Sequence, residues 1–162
     1  MIFEIDVSGE DLLSKNFVVC IADKNSLIKG FKFDEDMIKI LSSKYGQGLY
    51  RYKKSRKNKT NFKVRLYSIV IYYLFKSINP KGDVSLTICK DFEGKENDIR
   101  ENLRFFLGKK LKLKLEDNIH FDKLDKNSNA DKYAYLMRKD VKNKMNTYIK
   151  IELKDFEKWL KK

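Results

Sequence analysis

The sequence predicts an α/β fold, in which one sheet is flanked by helices, and three observations lead to this prediction. Residues 3–33 contain short segments that alternate apolar and polar side chains, as strands of an antiparallel sheet do. A short apolar run at 84–89 is flanked by segments whose apolar residues have helical spacing. The length of 162 residues suits one domain with a single hydrophobic core.

The N-terminal segments are predicted to form three antiparallel strands and a short helix. Residues 3–7 alternate, and residues 17–22 are predicted to pair across a turn with residues 27–33. An amphipathic helix is expected over 35–45, ended by Gly46.

A buried helix, a buried strand and an amphipathic helix are predicted next. Residues 62–78 are apolar nearly all round, and this uninterrupted length favours a helix stopped by Asn79 and Pro80. The run 84–89 is typical of a strand covered on both faces, and residues 97–108 carry an apolar stripe at helical spacing.

The remaining segments are shorter and less decisive. Residues 111–115 and 119–121 are both typical of strands, and the pattern does not decide which one is central. A helix is predicted to begin near Asn129, and residues 147–153 and 156–162 predict one more strand and a short helix.

The positive charge is concentrated in one segment. The chain has a formal net charge of +13, and residues 37–82 contain no Asp or Glu but 12 Lys and Arg. A surface this segregated attracts polyanions, so nucleic acid, either DNA or RNA, is the expected partner.

Within this segment, residues 50–63 interleave aromatic and basic side chains, which would supply base stacking and phosphate contacts. A solvated lysine-rich loop is the alternative, and an acidic lipid surface is a weaker one because no amphipathic helix accompanies the run. The candidate nucleic-acid-binding residues are Tyr50, Arg51, Tyr52, Lys53, Lys54, Arg56, Lys57 and Lys59.

Other function classes find little support. No apolar run free of charged residues approaches the roughly 18 residues of a membrane span and no signal-peptide pattern opens the chain, so a cytoplasmic protein without a membrane partner is expected. Cys20 and Cys89 lie in apolar runs without metal-site spacing and are expected to be buried thiols. His120, the one histidine, lies in a predicted strand, where packing is the expected role and proton transfer the alternative.

Three aspartates occur at positions of chemical interest. Asp6 lies on the first strand within IDVSG, Asp91 follows the run VSLTICK, and Asp131 opens the late helix within NSNADKYA. The element order and these three positions resemble the ribonuclease H-like superfamily over residues 1–145. Members of that superfamily place carboxylates on strand 1, at the end of strand 4 and on the last helix.

This resemblance implies a mixed five-stranded sheet flanked by helices over 1–145, with 146–162 as a C-terminal strand and helix packed on the same domain. It also implies a metal-dependent nuclease in which Asp6, Asp91 and Asp131 are catalytic and hold Mg²⁺ or Mn²⁺, because phosphodiester hydrolysis uses hard oxygen ligands. The alternative is that all three aspartates are turn and helix-cap residues.

One departure from the superfamily bears on activity. Classical ribonucleases H contribute a glutamate from the helix after the third strand, where this chain has Lys63 and Arg65. Resolvase-like and integrase-like members take no ligand from that helix. Glu93, Glu96 or Asp98 could supply a further ligand, or could be solvated charges. The competing function is a nucleic-acid-binding protein that keeps the fold without the chemistry.

Overall fold

A mixed sheet of five strands, in the order β3-β2-β1-β4-β5, forms the centre of the computed structural model, which describes residues 1–115 and 117–161. The predicted α/β class, with helices flanking a mixed five-stranded sheet, is confirmed. The elements in chain order are β1 (Ile2–Ser8), β2 (Val18–Ala22), β3 (Ile28–Lys32), α1 (Glu35–Gly46), α2 (Arg56–Ile78), β4 (Ser85–Ile88), α3 (Glu96–Leu103), a π-helical segment (Arg104–Lys110), β5 (Ile119–Phe121), α4 (Asn129–Lys139) and α5 (Leu153–Glu157).

Strand direction determines which side chains meet at the edge of the sheet. As the alternating segments predicted, β2 is antiparallel to both β1 and β3. In contrast, β4 is parallel to both β1 and β5. Ile5 is in register with Ile88, and the Cys89 amide donates to the Ile5 carbonyl at 3.0 Å. The carboxyl ends of β1 and β4 therefore lie side by side.

Helix α2 covers one face of the sheet and is buried along most of its length, as predicted for residues 62–78. Ile69 and Leu74 are fully buried. The helix begins earlier than expected, because the Ser55 side chain accepts from the Asn58 amide and caps it. It ends at Asn79, whose left-handed φ of 51° closes the last turn.

Helix α4 covers the opposite face over β1, β2 and β3. Its buried residues Ala134 and Met137 pack on Val18 and Cys20. Gly30 allows this close approach, since a Cβ at this position would displace the end of the Met137 side chain. The helix also packs on β1, and its first turn carries Asp131.

Two strand predictions are wrong. Residues 111–115 make only an isolated bridge between Lys114 and Asp83, while residues 119–121 form β5. Residues 147–153 contribute no strand because only the backbone groups of Thr147 and Ile149 reach β3.

The C-terminal segment packs on the main core, where Phe156 and Leu160 are fully buried. The C-terminal helix α5 begins at Leu153, earlier than predicted, and shares only Phe156 and Glu157 with the predicted segment 156–162, whose last residue lies outside the described part of the chain. None of the helices over residues 1–115 and 117–161 is long and apolar enough to cross a membrane.

Candidate metal centre and nucleic-acid interface

Asp6 and Asp91 meet at the carboxyl ends of β1 and β4, together with Cys89. One ligand atom from each of these three side chains lies within 4.8 Å of the others. The parallel register explains the meeting, because Asp6 follows Ile5 just as Cys89 follows Ile88. Two of the predicted metal ligands are thus adjacent.

Asp131 approaches the same place from the first turn of α4. Ser128 is the N-cap of this helix, and the Asp131 amide donates to the Ser128 hydroxyl at 3.2 Å. The Asp131 carboxyl is therefore not the N-cap, and it is near enough to Asp6 to raise the pKa of the Asp6 carboxyl. The structure thus joins Asp6 and Asp91 in one group and places Asp131 beside Asp6.

The environment of Asp6 disfavours its negative charge. Burial raises the pKa of Asp6 to about 6, and although the Val7 amide donates to this carboxylate and opposes the shift, the neighbouring Asp131 adds to it. Among the described residues, no Lys or Arg forms an ion pair with Asp6, Asp91 or Asp131. In a chain of net charge +13, this leaves the three carboxylates without a cationic partner. A divalent cation would relieve their repulsion.

Two side chains that the sequence argument set aside also belong to this place. Cys89 is buried, as expected, and its thiol donates to the Asp91 carboxylate. Burial, followed by the charge of Asp91, raises the pKa of this thiol. The Tyr67 side chain of α2 is fully buried beside Cys89, Asp91 and Asp6, and its hydroxyl has no hydrogen-bond partner among the described residues. We name Asp6, Asp91, Asp131 and Cys89 the acidic cluster.

Lys63 and Arg65, which occupy the part of α2 where classical ribonucleases H have a glutamate, are engaged away from the acidic cluster. Lys63 forms an ion pair with Asp11 at 2.8 Å. Arg65 is buried, donates to Asn102 and stacks over a phenylalanine ring. Tyr67, which is also on α2, lies beside the acidic cluster.

The three acids named as possible further ligands, and the histidine, are not part of the acidic cluster. Glu93 is exposed, and Glu96 and Asp98 lie in the first turn of α3, where Asp98 pairs with Lys95 at 3.8 Å. His120 is exposed on β5, two strands from Asp6. The packing expected for this histidine is wrong because its strand lies at the edge of the sheet.

The aromatic part of the nucleic-acid prediction is wrong at Tyr50. Its side chain is 1 % exposed, its hydroxyl donates to Glu157 at 2.9 Å, and its ring stacks on buried Phe62. Tyr52 is half-buried against the same ring, and Arg51 donates to a backbone carbonyl of the C-terminal segment. These residues anchor the segment to the core, so the Tyr50 and Phe62 rings are not free to stack on a base.

The other candidates are exposed and lead towards the acidic cluster. Lys53, Lys54, Arg56, Lys57 and Lys59 are all exposed. Residues 56, 59, 60 and 63 share one face of the first turns of α2 because of their spacing.

Two adjacent hollows follow this face. A cavity of about 430 Å³ is lined by Lys54, Arg56 and Lys59, and a cleft of about 250 Å³ is lined by Thr60, Lys63 and Asp91. We name Lys54, Arg56, Lys59, Thr60 and Lys63 the basic track.

Compared with protein-family profiles, curated proteins and solved structures, the chain matches none of them at a level that would indicate kinship. The resemblance to the ribonuclease H-like superfamily therefore stays a prediction from the sequence.

Proposed function

We propose that the protein is a ribonuclease H-like, divalent-metal-dependent nuclease that hydrolyses phosphodiester bonds of DNA or RNA. The observation that carries this proposal is the meeting of Asp6 and Asp91 at the carboxyl ends of β1 and β4, with Asp131 beside Asp6 and the basic track leading to Asp91. The three positions on strand 1, after strand 4 and on the late helix are those that the resemblance implies.

The residues present fit a cation such as Mg²⁺ or Mn²⁺. Carboxylate oxygens of Asp6, Asp91 and Asp131 would hold it, and no ion pair within the described residues competes for them. When bound, such a cation activates water and neutralises the leaving oxygen of a phosphodiester.

The basic track would position the substrate. Lys54, Arg56 and Lys59 line the cavity at the start of α2, and the neighbouring cleft ends at Asp91. A strand whose phosphates contact these side chains would bring a following phosphodiester to the acidic cluster. Thr60 and the Asp11-paired Lys63 lie between the two ends.

A second candidate function is nucleic-acid binding without cleavage. It is favoured by Tyr67, which faces the cluster from α2 where classical members of the superfamily supply a carboxylate.

Cleavage assays separate the two functions. Labelled single-stranded and hairpin DNA and RNA would be incubated with the protein in Mg²⁺, Mn²⁺, Co²⁺ or Zn²⁺, or in EDTA. We expect cation-dependent cleavage that Asp6→Asn and Asp91→Asn abolish, because the isosteric amide keeps the shape and removes the charge. Glu93→Gln, an exposed acid two residues after Asp91, is the matched control and should keep full activity.

The outcomes are distinct. Binding of the substrates without cleavage in any of the four cations would establish the binding protein and refute the nuclease. Cleavage that survives Asp6→Asn and Asp91→Asn would show that these aspartates do not carry the reaction.

Binding is tested with two triple-alanine variants that remove equal charge. The track variant removes exposed basic residues of the cavity, and the control variant removes exposed lysines at and after the far end of α4. The replaced residues are Lys54, Arg56 and Lys59 in the track variant and Lys139, Lys142 and Lys144 in the control.

A further inference from the structure

We infer that Cys89 is a thiolate ligand of the cation site, so that the site prefers a borderline-soft divalent cation such as Co²⁺ or Zn²⁺ to Mg²⁺. This inference rests on the cation site of the proposed function and specifies its metal class. It does not depend on cleavage.

The position of the thiol is the first argument. The Cys89 sulfur and oxygens of Asp6 and Asp91 lie within 4.8 Å of one another, a separation that one ion can bridge. Asp91 is exposed, so the site opens to solvent on its side, whereas Asp6 and Cys89 are each only 8 % exposed. A cation entering past Asp91 would meet all three donors.

The second argument is the hydroxyl of Tyr67, which is fully buried beside Cys89 and has no hydrogen-bond partner within residues 1–115 and 117–161. A buried donor without an acceptor costs free energy. A metal-bound thiolate is a strong acceptor, and outer hydrogen bonds of this kind orient metal ligands. The Tyr67 hydroxyl could donate to the Cys89 thiolate that cation binding would create. Tyr67 would then be a positioning residue, which orients the Cys89 ligand.

Ligand chemistry then selects the metal. Mg²⁺ requires oxygen ligands in near-ideal octahedral geometry, and thiolates do not serve it. A donor set of two carboxylates and one thiolate suits Zn²⁺ and Co²⁺, and the usual affinity order places Mn²⁺ below both. When the cation binds, the Cys89 thiol loses its proton to the buffer, so cation binding should be accompanied by proton release.

The test is a Co²⁺ titration of the full chain after chelator treatment, followed by absorption. Thiolate-to-cobalt charge transfer produces a near-ultraviolet band that carboxylate ligation does not. Cys20→Ala leaves Cys89 as the one cysteine in the sequence, so a band in that variant must come from Cys89. We expect the band in the wild type and in Cys20→Ala, and its loss in Cys89→Ser.

Competition experiments give the affinities. Cys89→Ser should weaken Co²⁺ and Zn²⁺ binding by at least about tenfold and change Mg²⁺ binding much less. Tyr67→Phe should keep the band and weaken Co²⁺ binding by about tenfold or more.

The outcomes separate this inference from the proposed function. If Co²⁺ or Mn²⁺ raises the melting temperature without a charge-transfer band in Cys20→Ala, the thiolate ligand is refuted and the carboxylate site stands. If no divalent cation binds, both are refuted. The Cys20→Ala result decides the ligand even if Cys89→Ser does not fold.

Discussion

Replacing Asp6 by Asn should stabilise the cation-free protein, and the gain should depend on pH. The Asp6 carboxyl is 8 % exposed, and burial followed by the effect of Asp131 raises its pKa from 3.8 to about 6. Between these values the native state holds the proton more tightly than the unfolded chain does, so stability from this group falls as the pH rises through that window.

The magnitude follows from the same pKa values. Above pH 6 the full penalty for ionising Asp6 is present, and a pKa of about 6 against 3.8 corresponds to about 3 kcal/mol. Asn at this position keeps an oxygen for the Val7 amide and adds a donor for Asp131. We therefore expect Asp6→Asn to raise the free energy of unfolding by at most about 3 kcal/mol at pH 8 and by little at pH 4.

Urea denaturation in chelator at pH 4, 6 and 8 is the assay. Glu4→Gln, on the same strand and outside the acidic cluster, controls for the loss of one negative charge and should show no such pH-dependent gain. Saturating Mn²⁺ should reduce the difference between wild type and Asp6→Asn, because the cation offsets the carboxylate repulsion in the wild type. A variant that is less stable than the wild type at pH 8, or equally stabilised at every pH, would refute the reasoning.

Three further outcomes are expected. The track variant should flatten the logarithmic salt dependence of duplex DNA binding by about 2 to 3 units, and the control variant should not; equal slopes in both would place the interface elsewhere. Ile69→Ala and Leu74→Ala, both at fully buried positions of α2, should each cost about 2 to 5 kcal/mol in urea denaturation; near-neutral effects at both would show that this face is not core. Tyr50→Phe should cost about 1 to 2 kcal/mol through the lost bond to Glu157 and leave DNA affinity unchanged, whereas weaker DNA binding would restore Tyr50 to the interface.

Local sequence patterns were sufficient to predict a helix or strand where the pattern depends on the burial of that element alone. Alternation over residues 3–7 and the apolar run of α2 predicted β1 and α2, because each pattern reflects how that one element is buried in the core. The segment 111–115 alternates for another reason. Leu111 and Leu113 pack on the core, but Leu111 still has a helical backbone conformation and Lys112 a left-handed φ of 57°, so the chain is not extended there and only Lys114 makes a bridge.

The site shows the same limit. The three aspartates could be predicted from motif order, but Cys89 enters the cluster through the register of β1 with β4, which no local pattern contains. Nothing in an all-apolar helix indicates that Tyr67 is the residue that faces the aspartates. Tyr50 was misassigned because its partner Glu157 lies 107 residues away in the chain. An aromatic ring in a basic run serves packing as well as stacking.

The acidic cluster as a cation site beside the basic track is the central claim, and a crystal soaked in Mn²⁺ tests it most directly. Anomalous scattering locates the manganese without reference to activity. The predicted result is a peak within coordination distance of the Asp6 and Asp91 carboxylates, on the side that Asp131 faces, and absent from crystals of Asp91→Asn. A well-ordered cluster that binds no manganese, or one whose carboxylates are paired with lysine or arginine side chains, would contradict it.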